Sequence, residues 1–428
     1  MLTQPSPASI SSDLASNLSI ATYDVVVVGG GIVGLTVACG LRGSGLTVAV
    51  LESSPRSSVH RRSQAYAFSL TSARIFKGLG LWDQVRPAVE PFHHIRLSDC
   101  DWPDVVTFEP ADAGETEDLG YVAEHTVLVK VLQGAVEAAP DVDWIGPAIA
   151  QDVTYDDRWA YVSVEPGDDA VEVPPQVRAK LVIGADGARS PLRKGADIPT
   201  RGWKYWQSCI VAVVRPEKHH NNTAFERFQT SGPFAILPLR DTCRVVWTAP
   251  HAEAETMMKL DDQAFLQELS KRFGDQLGAL ELVGDRRLFP VQLMQSKQYV
   301  APRLALVGEA AHNCHPVGGQ GLNLGIRDGA ALAEVLVAAY GRGDDIGAVE
   351  TLRPYDRQRR WGNWLILGFT DILDRAFSNQ WLPVMAVRRL GLFAMQRVAP
   401  IKQIAIRVMT GKWGHIPKLV PPEGLPEK

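Results

Sequence analysis

Three glycine-rich segments of the chain contain residue types that can cradle phosphate groups, and each follows a run of apolar, often β-branched residues. The first, 29–34 (GGGIVG), has the spacing G-x-G-x-x-G directly after the run 23–28 (YDVVVV). In this pattern Gly29 permits a tight turn, Gly31 lets the backbone approach a pyrophosphate, and Gly34 allows close packing of helix on strand. Glu52 ends the next apolar run, where its carboxylate can accept hydrogen bonds from ribose hydroxyls. The segment predicts a dinucleotide site without separating FAD from NAD.

The other two segments repeat the order of strand, turn and helix start. Residues 181–187 (LVIGADG) form a buried-strand pattern and a turn, and Ser190 can cap the helix that follows. Residues 304–309 (LALVGE) lead to the loop 316–321 (PVGGQG) and then to a helical pattern. The start of a helix presents unbonded N–H groups and a positive dipole end to an anion. The nucleotide-binding layer is therefore predicted to consist of discontinuous pieces of the chain.

In this order the three segments resemble the fingerprints of the single-component FAD monooxygenases, over nearly the whole chain from Tyr23 to about Lys418. Within that group the chain is similar to the ubiquinone-biosynthesis hydroxylase family. The similar stretches are 232–239 (GPFAILPL), 299–303 (YVAPR), 355–360 (YDRQRR) and 370–379 (TDILDRAFSN). The chain departs from the family at Glu309, where the family has Asp, and at Gln64, where the family has Arg.

The resemblance implies FAD as the cofactor, and NAD(P)H or a ferredoxin-type reductant as the electron source. It places Asp186 and Arg193 near the pyrophosphate, Glu309 on the ribityl chain, and the loop 316–321 beneath the isoalloxazine ring. Gln64 lacks the positive charge of Arg, which is expected to alter the flavin potential or the access of the reductant. The expected cofactor-binding residues are Gly29, Gly31, Gly34, Glu52, Gln64, Asp186, Arg193, Gly308, Glu309, Pro316, Gly318, Gly319, Gln320, Gly321 and Asn323.

The resemblance also implies the reaction. A reduced flavin reacts with O2 to give a C4a-hydroperoxide, which hydroxylates the aromatic ring of a prenylated phenol or quinone precursor. Because the cofactor carries this chemistry, no nucleophile, triad or metal site is expected in the protein. His312 and His315 lie in the third segment without further ligands, so packing or flavin contact is expected for His312.

The substrate ring is expected between the flavin and an antiparallel sheet, near Phe234, Leu237 and Pro238. The residues that could act as a substrate-binding base are Tyr66, His125 and Tyr205, and each also has a structural interpretation. The sequence does not assign a base among them.

Two other functions stay open at this point. Flavin-dependent reductases of isoprenoid double bonds share the fold and the fingerprints, but their products gain hydrogen and no oxygen. A non-catalytic flavoprotein that scaffolds a quinone-biosynthesis complex would hold FAD without oxidising it in response to substrate.

The order of strand types predicts the fold class: an α/β protein with a discontinuous Rossmann-like FAD-binding domain, an inserted antiparallel-sheet substrate domain and a C-terminal helical region. The resemblance implies the arrangement called GR2/PHBH-like. The predicted parallel strands lie near positions 24, 47, 181 and 304. The predicted divisions are a disordered leader at 1–21, the FAD-binding domain at 22–90, 120–200 and 290–345, the substrate domain at 91–119 and 201–289, and C-terminal helices at 346–428.

Charge and composition bear on the partners. The five cysteines are scattered, without a C-x-x-C pair, which fits a reducing compartment such as the cytoplasm. Between Asp374 and Glu423 there are eight basic residues and no acidic residue, although the whole chain has a net charge of −4. That basic, apolar region, with Pro400 breaking its helix, predicts peripheral contact with a membrane surface rather than with nucleic acid. No segment has the apolar length of a transmembrane helix.

Overall fold

A computed structural model describes residues 20–59, 64–99, 105–168, 170 and 173–419 of the chain. Its strands are β1 (Ala21–Val28), β2 (Val48–Leu51), β3 (Ala65–Ser69), β4 (Glu90–Phe92), β5 (His94–Asp99), β6 (Val105–Phe108), β7 (Gly120–Glu124), β8 (Val142–Ile145), β9 (Ala148–Tyr155), β10 (Ala160–Pro166), β11 (Gln176–Gly184), β12 (Thr200–Pro216), β13 (Thr223–Phe228), β14 (Phe234–Leu239), β15 (Thr242–Pro250), β16 (Leu280–Ser296), β17 (Val300–Ala301), β18 (Leu304–Leu306) and β19 (His312–Asn313). The predicted leader lies outside the described residues as far as position 19.

The α-helices of the described residues are α1 (Ile32–Leu41), α2 (Arg56–Val59), α3 (Leu70–Gly78), α4 (Trp82–Val85), α5 (His125–Glu137), α6 (Pro191–Gly195), α7 (His251–Lys259), α8 (Asp262–Phe273), α9 (Gln320–Arg342), α10 (Val349–Phe377), α11 (Leu382–Arg397) and α12 (Ala399–Met409). None of these helices is long and apolar enough to cross a membrane.

The first sheet has the strand order β17-β18-β11-β1-β2-β8, with β10 and β9 added beside β11. Strands β18, β11, β1, β2 and β8 run parallel. Val25, Val26 and Val27 in β1 are fully buried, so neither face of this strand is exposed to solvent. The four parallel strands predicted near 24, 47, 181 and 304 are confirmed as adjacent strands from distant parts of the chain.

The second sheet has the order β19-β16-β12-β15-β14-β13-β5-β6, and is antiparallel except where β13 pairs with β5. Its alternating side chains produce two apolar faces. One face packs on α7 and α8 around Trp247 and Phe273, and the other faces the loop that begins α9. The pairing of β12 with β16 continues to Ser296, so this sheet extends past the predicted domain boundary at 289. The other predicted domain boundaries stay predictions.

A third, small sheet (β3-β7-β4) lies between the other two sheets, and α10, α11 and α12 close the remaining side. The predicted break at Pro400 is confirmed, since α11 ends at Arg397 and Pro400 lies in the first turn of α12. Proline fits there because it has no N–H to contribute to a preceding turn. Helix α11 is attached to the second sheet by a buried ion pair between Arg388 Nε and Asp99 Oδ2, at 2.8 Å.

Candidate functional site

Where β1 meets α1, the protein's own packing leaves no room for a side chain at three of the four glycines (Gly29, Gly30 and Gly34) but leaves room at Gly31. A Cβ on Gly29, whose φ is +109°, would lie 2.3 Å from the Ala185 carbonyl oxygen, and one on Gly34 would lie 1.9 Å from the Gly29 oxygen. A Cβ on Gly31 would meet no atom within 4 Å. The bare backbone at Gly31 therefore leaves space outside the protein's own packing, which fits the approach of a pyrophosphate.

Glu52 lies beside this turn at the end of β2. Its Oε2 accepts a hydrogen bond from the Gly30 amide at 2.7 Å, and its Oε1 accepts one from the Ser54 amide at 2.9 Å. The carboxylate is thus held next to the loop in which the phosphate would bind, where a ribose would lie.

The second predicted segment places Asp186 and Arg193 in different roles. The Oδ2 atom of Asp186 accepts a hydrogen bond from the Leu192 amide at 3.1 Å, while its Oδ1 is buried without a hydrogen-bond partner among the described residues. Burial raises the pKa of this carboxyl. Arg193 donates to the carbonyl oxygens of Ala310 at 2.6 Å and Ala188 at 2.9 Å. Asp186 keeps an acceptor for a ligand, whereas Arg193 joins the second and third segments.

The third segment begins with a short 3₁₀ turn at Gly308–Ala310, on which Glu309 is exposed. Gly308 has a φ of +58°, and its amide donates to Asp328 Oδ2 at 3.2 Å. Gly308 adopts this left-handed conformation without strain, and its hydrogen bond to Asp328 fixes where the chain leaves β18, so the longer side chain of Glu309 projects outward from a fixed base.

The loop before α9 has two successive left-handed glycines, Gly318 and Gly319. A Cβ on Gly319 would lie 2.7 Å from the Ala67 Cβ, so the loop packs directly on β3. Asn323 reinforces this contact: it donates to the Ala67 carbonyl and accepts from the Ser69 amide, both at 2.8 Å. The side chains of Pro316 and Gln320 flank the loop, and a Cβ on Gly321 would meet only the Cys314 sulfur at 3.7 Å. The N-terminus of α9 is thereby held against β3 with its glycine face open.

Three residues predicted separately form one cluster at the start of β3. The Tyr66 hydroxyl donates to Gln64 Oε1 at 2.7 Å and lies 3.3 Å from His125 Nδ1. The His125 amide donates to the Gln64 carbonyl at 2.7 Å. Pairing of β3 with β7 explains the cluster, because β7 leads directly into α5. Tyr66 directly precedes Ala67, which contacts Gly319, so the cluster lies one residue along β3 from the loop 316–321 (the glycine loop).

A network of buried polar side chains, which was not predicted from the sequence, supports the loop before α9. Asp328 is fully buried and lies 2.6 Å from His312 Nε2, 2.7 Å from Arg359 Nε and 3.0 Å from Asn363 Nδ2. The charge of Arg359 and the contact with His312 lower the pKa of Asp328 to about 2 against the opposing effect of burial. The network connects α9 to α10, and it gives His312 a structural partner.

His315 and Tyr205 belong to a second buried network between β12 and α10. His315 Nε2 lies 3.0 Å from Gln207 Oε1, and its Nδ1 accepts from the Val317 amide at 3.3 Å. Burial lowers the pKa of His315 to about 3, so it is a neutral imidazole with its proton on Nε2. The Tyr205 hydroxyl donates to Asp371 Oδ1 at 2.7 Å, and burial with this carboxylate raises its pKa. Both side chains thus serve to attach α10 to the sheet.

The pleat of β14 separates the predicted pocket residues. Phe234 packs against Trp247 and Phe273 on the face covered by α7 and α8, so it does not line the space near the glycine loop. Leu237 lies on the opposite face, which packs toward the loop and the C-terminal helices. Pro238 is buried in the same strand.

A narrow, largely apolar cavity lies between the second sheet, the glycine loop and the C-terminal helices. The sheet contributes Phe108 and Phe228, the loop contributes Gly318, and the helices contribute Leu373 and Met395. Glu226 on β13 is the one charged side chain among the described lining residues, and it is 9% exposed. Burial raises its pKa to about 7, although the Gly318 amide donates to it. The sequence did not predict this residue, since an acid within a short strand resembles a solvent-facing position.

Comparison with known proteins places the chain among flavoproteins. The family model described as FAD binding domain matches residues 22–370. An uncharacterized protein of Synechocystis sp. is 47% identical over 413 residues, covering 96% of this chain and 99% of that protein. The ubiquinone hydroxylase UbiL of Rhodospirillum rubrum is 37% identical over 392 residues, covering 91% of this chain and 89% of UbiL.

Among solved structures, the p-nitrophenol 4-monooxygenase PnpA of Pseudomonas putida DLL-E4 superposes with a TM-score of 0.76. The superposition covers 91% of this chain and 99% of PnpA, at 20% sequence identity. At that identity the likeness concerns the fold, and it agrees with the predicted arrangement of a discontinuous nucleotide-binding domain, a second sheet and C-terminal helices.

Proposed function

We propose that this chain, which belongs to the FAD binding domain family of flavin-dependent monooxygenases, hydroxylates the aromatic ring of a prenylated phenol or quinone precursor. The observation that carries the proposal is the apolar cavity that meets the glycine loop on one side and the C-terminal helices on the other. The relative UbiL, named a ubiquinone hydroxylase, supports the same class of substrate. Molecular oxygen is the co-substrate, and NAD(P)H or a ferredoxin-type carrier is the reductant.

The residues of the three segments fit FAD. Gly31 would face the pyrophosphate, Glu52 the ribose and Glu309 the ribityl chain, while the buried unpaired oxygen of Asp186 would gain a partner. When bound, FAD supplies the redox chemistry that activates oxygen. The protein orients the substrate ring in the cavity and excludes water around it, because the cavity lining is apolar apart from Glu226, Gln320 and Thr370.

The exposed side of the C-terminal helices suggests where a lipid-soluble substrate would enter. We define the C-terminal apolar surface by exposed residues of α11 and α12 and the residue before α11: Trp381, Leu382, Val387, Leu390, Phe393, Ile401 and Ile404. Contiguous exposed apolar side chains on this scale mark interaction surfaces. The inner side of the same helices lines the cavity through Met395, Ala405 and Met409. A bilayer surface is therefore the proposed occupant of this patch.

Several basic residues of the C-terminal region are paired with acidic residues elsewhere in the chain. Five of the eight basic residues in this region form ion pairs with acidic residues of the chain: Arg375 with Asp371, Arg388 with Asp99, Lys402 with Asp112, Lys412 with Glu115 and Lys418 with Glu334. The pairs of Arg388, Lys402 and Lys412 are largely shielded from solvent, so these three charges are offset within the protein. Arg397 and Arg407 are exposed on the two helices and would face anionic headgroups. The exposed apolar side chains consequently carry more of the proposed membrane contact than the excess of basic residues suggests.

The membrane proposal is tested by replacing both Leu382 and Leu390, which are 75% and 67% exposed, by Glu. Sedimentation with phosphatidylcholine–phosphatidylglycerol vesicles should weaken by more than about tenfold, because two leucines lose burial in lipid. A matched control replaces Ile149 and Val337, which are exposed on other elements, by Glu. Equal vesicle binding by the two double variants and the unaltered protein would remove the membrane proposal.

The hydroxylase proposal is tested by lipid mass spectrometry of a strain that lacks this gene, beside its parent, during growth in labelled oxygen. Loss of one labelled ring oxygen from a prenylquinone supports hydroxylation and identifies the product. Accumulation of a less saturated prenyl chain, with unchanged rings, would instead favour the isoprenoid reductase. Unchanged lipids would favour the non-catalytic flavoprotein.

A further inference from the structure

Glu226 faces the cavity because of its place in β13. Phe225, one residue before it, packs on Phe273 at the opposite face of the sheet, while Phe228, two residues after it, packs in the apolar cluster beside the cavity. Successive side chains of a strand point to opposite faces, so Glu226 and Phe228 share the cavity side. The carboxyl group therefore projects into an apolar space rather than into solvent.

Among the described residues that line the cavity, none is a cation that could pair with Glu226. Among the described lining residues, its polar neighbours are Gln320 and Thr370, and the Gly318 amide donates to its carboxylate. Acidic groups on the elements packed around the cavity have other partners: Asp99 of β5 pairs with Arg388 of α11, Asp112 pairs with Lys402 of α12, and Asp374 of α10 accepts from Gln207 and Ser378. Arg397 of α11 and Arg407 of α12 are exposed to solvent. A carboxyl buried without a counter-charge costs stability, which indicates a requirement other than folding.

Resting on the proposed function, we propose that Glu226 binds the ring hydroxyl of the phenolic substrate and accepts its proton. The contact with Gly318 places this carboxyl directly against the glycine loop over which the flavin ring is expected. A hydroxyl bonded to Glu226 would thus position the substrate ring at the loop, with its prenyl chain directed toward Met395 and Met409 of the C-terminal helices.

The proposed step transfers one proton from the substrate phenol to Glu226. The O–H bond of the phenol breaks, an O–H bond forms on the Glu226 carboxylate, and the phenolate keeps the electron pair. No oxidant or reductant takes part in this step, and the proton returns to the ring oxygen when the product leaves. A phenolate is richer in electrons than a phenol, so the ring becomes more reactive toward an electrophilic oxygen.

The acidity of Glu226 matches this role. Its pKa of about 7 lies closer to that of a phenol, about 10, than the ordinary glutamate value of about 4.3 does. Proton transfer is most efficient when donor and acceptor are closely matched and the acceptor titrates near the working pH. Above pH 7 the carboxylate form predominates, so both substrate binding and turnover should increase as the pH rises through this value.

The test compares the holoenzyme with its Glu226→Gln and Glu226→Asp variants, using 2-geranylphenol as the probe. Binding to the oxidised holoenzyme is followed by the change in flavin absorbance between pH 5 and pH 9, and hydroxylation is measured over the same range. Glu281→Gln, at an exposed position on β16, serves as the matched control. FAD content of each variant reports whether the fold is retained.

For the unaltered protein and Glu281→Gln, binding should tighten about tenfold between pH 5 and pH 9, as expected for a hydrogen bond to a charged group. Glu226→Gln should bind FAD normally, show no pH dependence of phenol binding, and turn over about 100-fold more slowly. Glu226→Asp should restore the pH dependence in part. Hydroxylation by Glu226→Gln with an unchanged rate and pH profile would overturn this assignment and leave the hydroxylase proposal intact. Absence of hydroxylation by the unaltered protein would instead refute the proposed function itself.

Discussion

Replacing Glu226 by Gln is expected to stabilise the folded protein at alkaline pH and to have little effect at acidic pH. The physical reason is proton linkage. Burial raises the pKa of Glu226 from 4.5 to about 7, so the folded state binds more protons than the unfolded state between these values. Stability is lost as the pH rises from about 4.5 to about 7, and the full cost is present above that range. Gln has a similar size and can still accept from the Gly318 amide, but it does not titrate.

The magnitude follows from the size of the shift. About 2.5 pKa units at 1.36 kcal/mol each correspond to about 3 kcal/mol at pH 8, of which less than about 1 kcal/mol is present at pH 5. In urea denaturation, the variant should therefore have a higher free energy of unfolding than the unaltered protein. This difference should be about 2 to 3 kcal/mol larger at pH 8 than at pH 5. Glu281→Gln should show no such divergence. The difference in free energy of unfolding between Glu226→Gln and the unaltered protein could instead be constant across this pH range. That result would show that the carboxyl is not buried in its charged form, and would refute the proposed proton linkage.

Two further predictions concern the cofactor and the C-terminal helices. Gly31→Val should yield folded protein without bound FAD, because the valine side chain occupies the space left for the pyrophosphate; flavin absorbance after purification measures this. The control Gly134→Val, at an equally uncrowded glycine of α5, should retain FAD. Normal FAD content in both variants would contradict the assigned phosphate site. Asp99→Asn should cost about 3–5 kcal/mol in the free energy of unfolding, because it leaves Arg388 buried without its counter-charge. A cost below about 1 kcal/mol in urea denaturation would show that the pair does not anchor α11.

The parts of the fold that the sequence predicted are those in which local pattern determines structure. Parallel strands buried on both faces require continuous apolar runs, and the runs in β1, β2, β11 and β18 were recognisable for that reason. The glycine turns were recognisable because steric limits at Gly29 and Gly34 allow no other residue. The helical C-terminus and its break at Pro400 likewise follow from local periodicity and from the missing N–H of proline.

The features that the sequence did not reveal depend on contacts between distant residues. The basic residues Arg388 and Lys402 suggested a charged surface, but their partners Asp99 and Asp112 lie more than 250 positions away in the chain. The face of β14 on which Phe234 lies depends on how the sheet packs against α7 and α8, which residue type alone does not decide. Glu226 is recognisable as a site residue only when β13 is seen against the glycine loop.

The most direct test of the central claim is the reaction of the purified, FAD-loaded protein with 2-geranylphenol, a reductant and labelled molecular oxygen. We expect a product that carries one additional ring hydroxyl, with its oxygen derived from the labelled gas. A product with added hydrogen and no labelled oxygen would contradict hydroxylation, and so would oxygen consumption that the phenol does not stimulate.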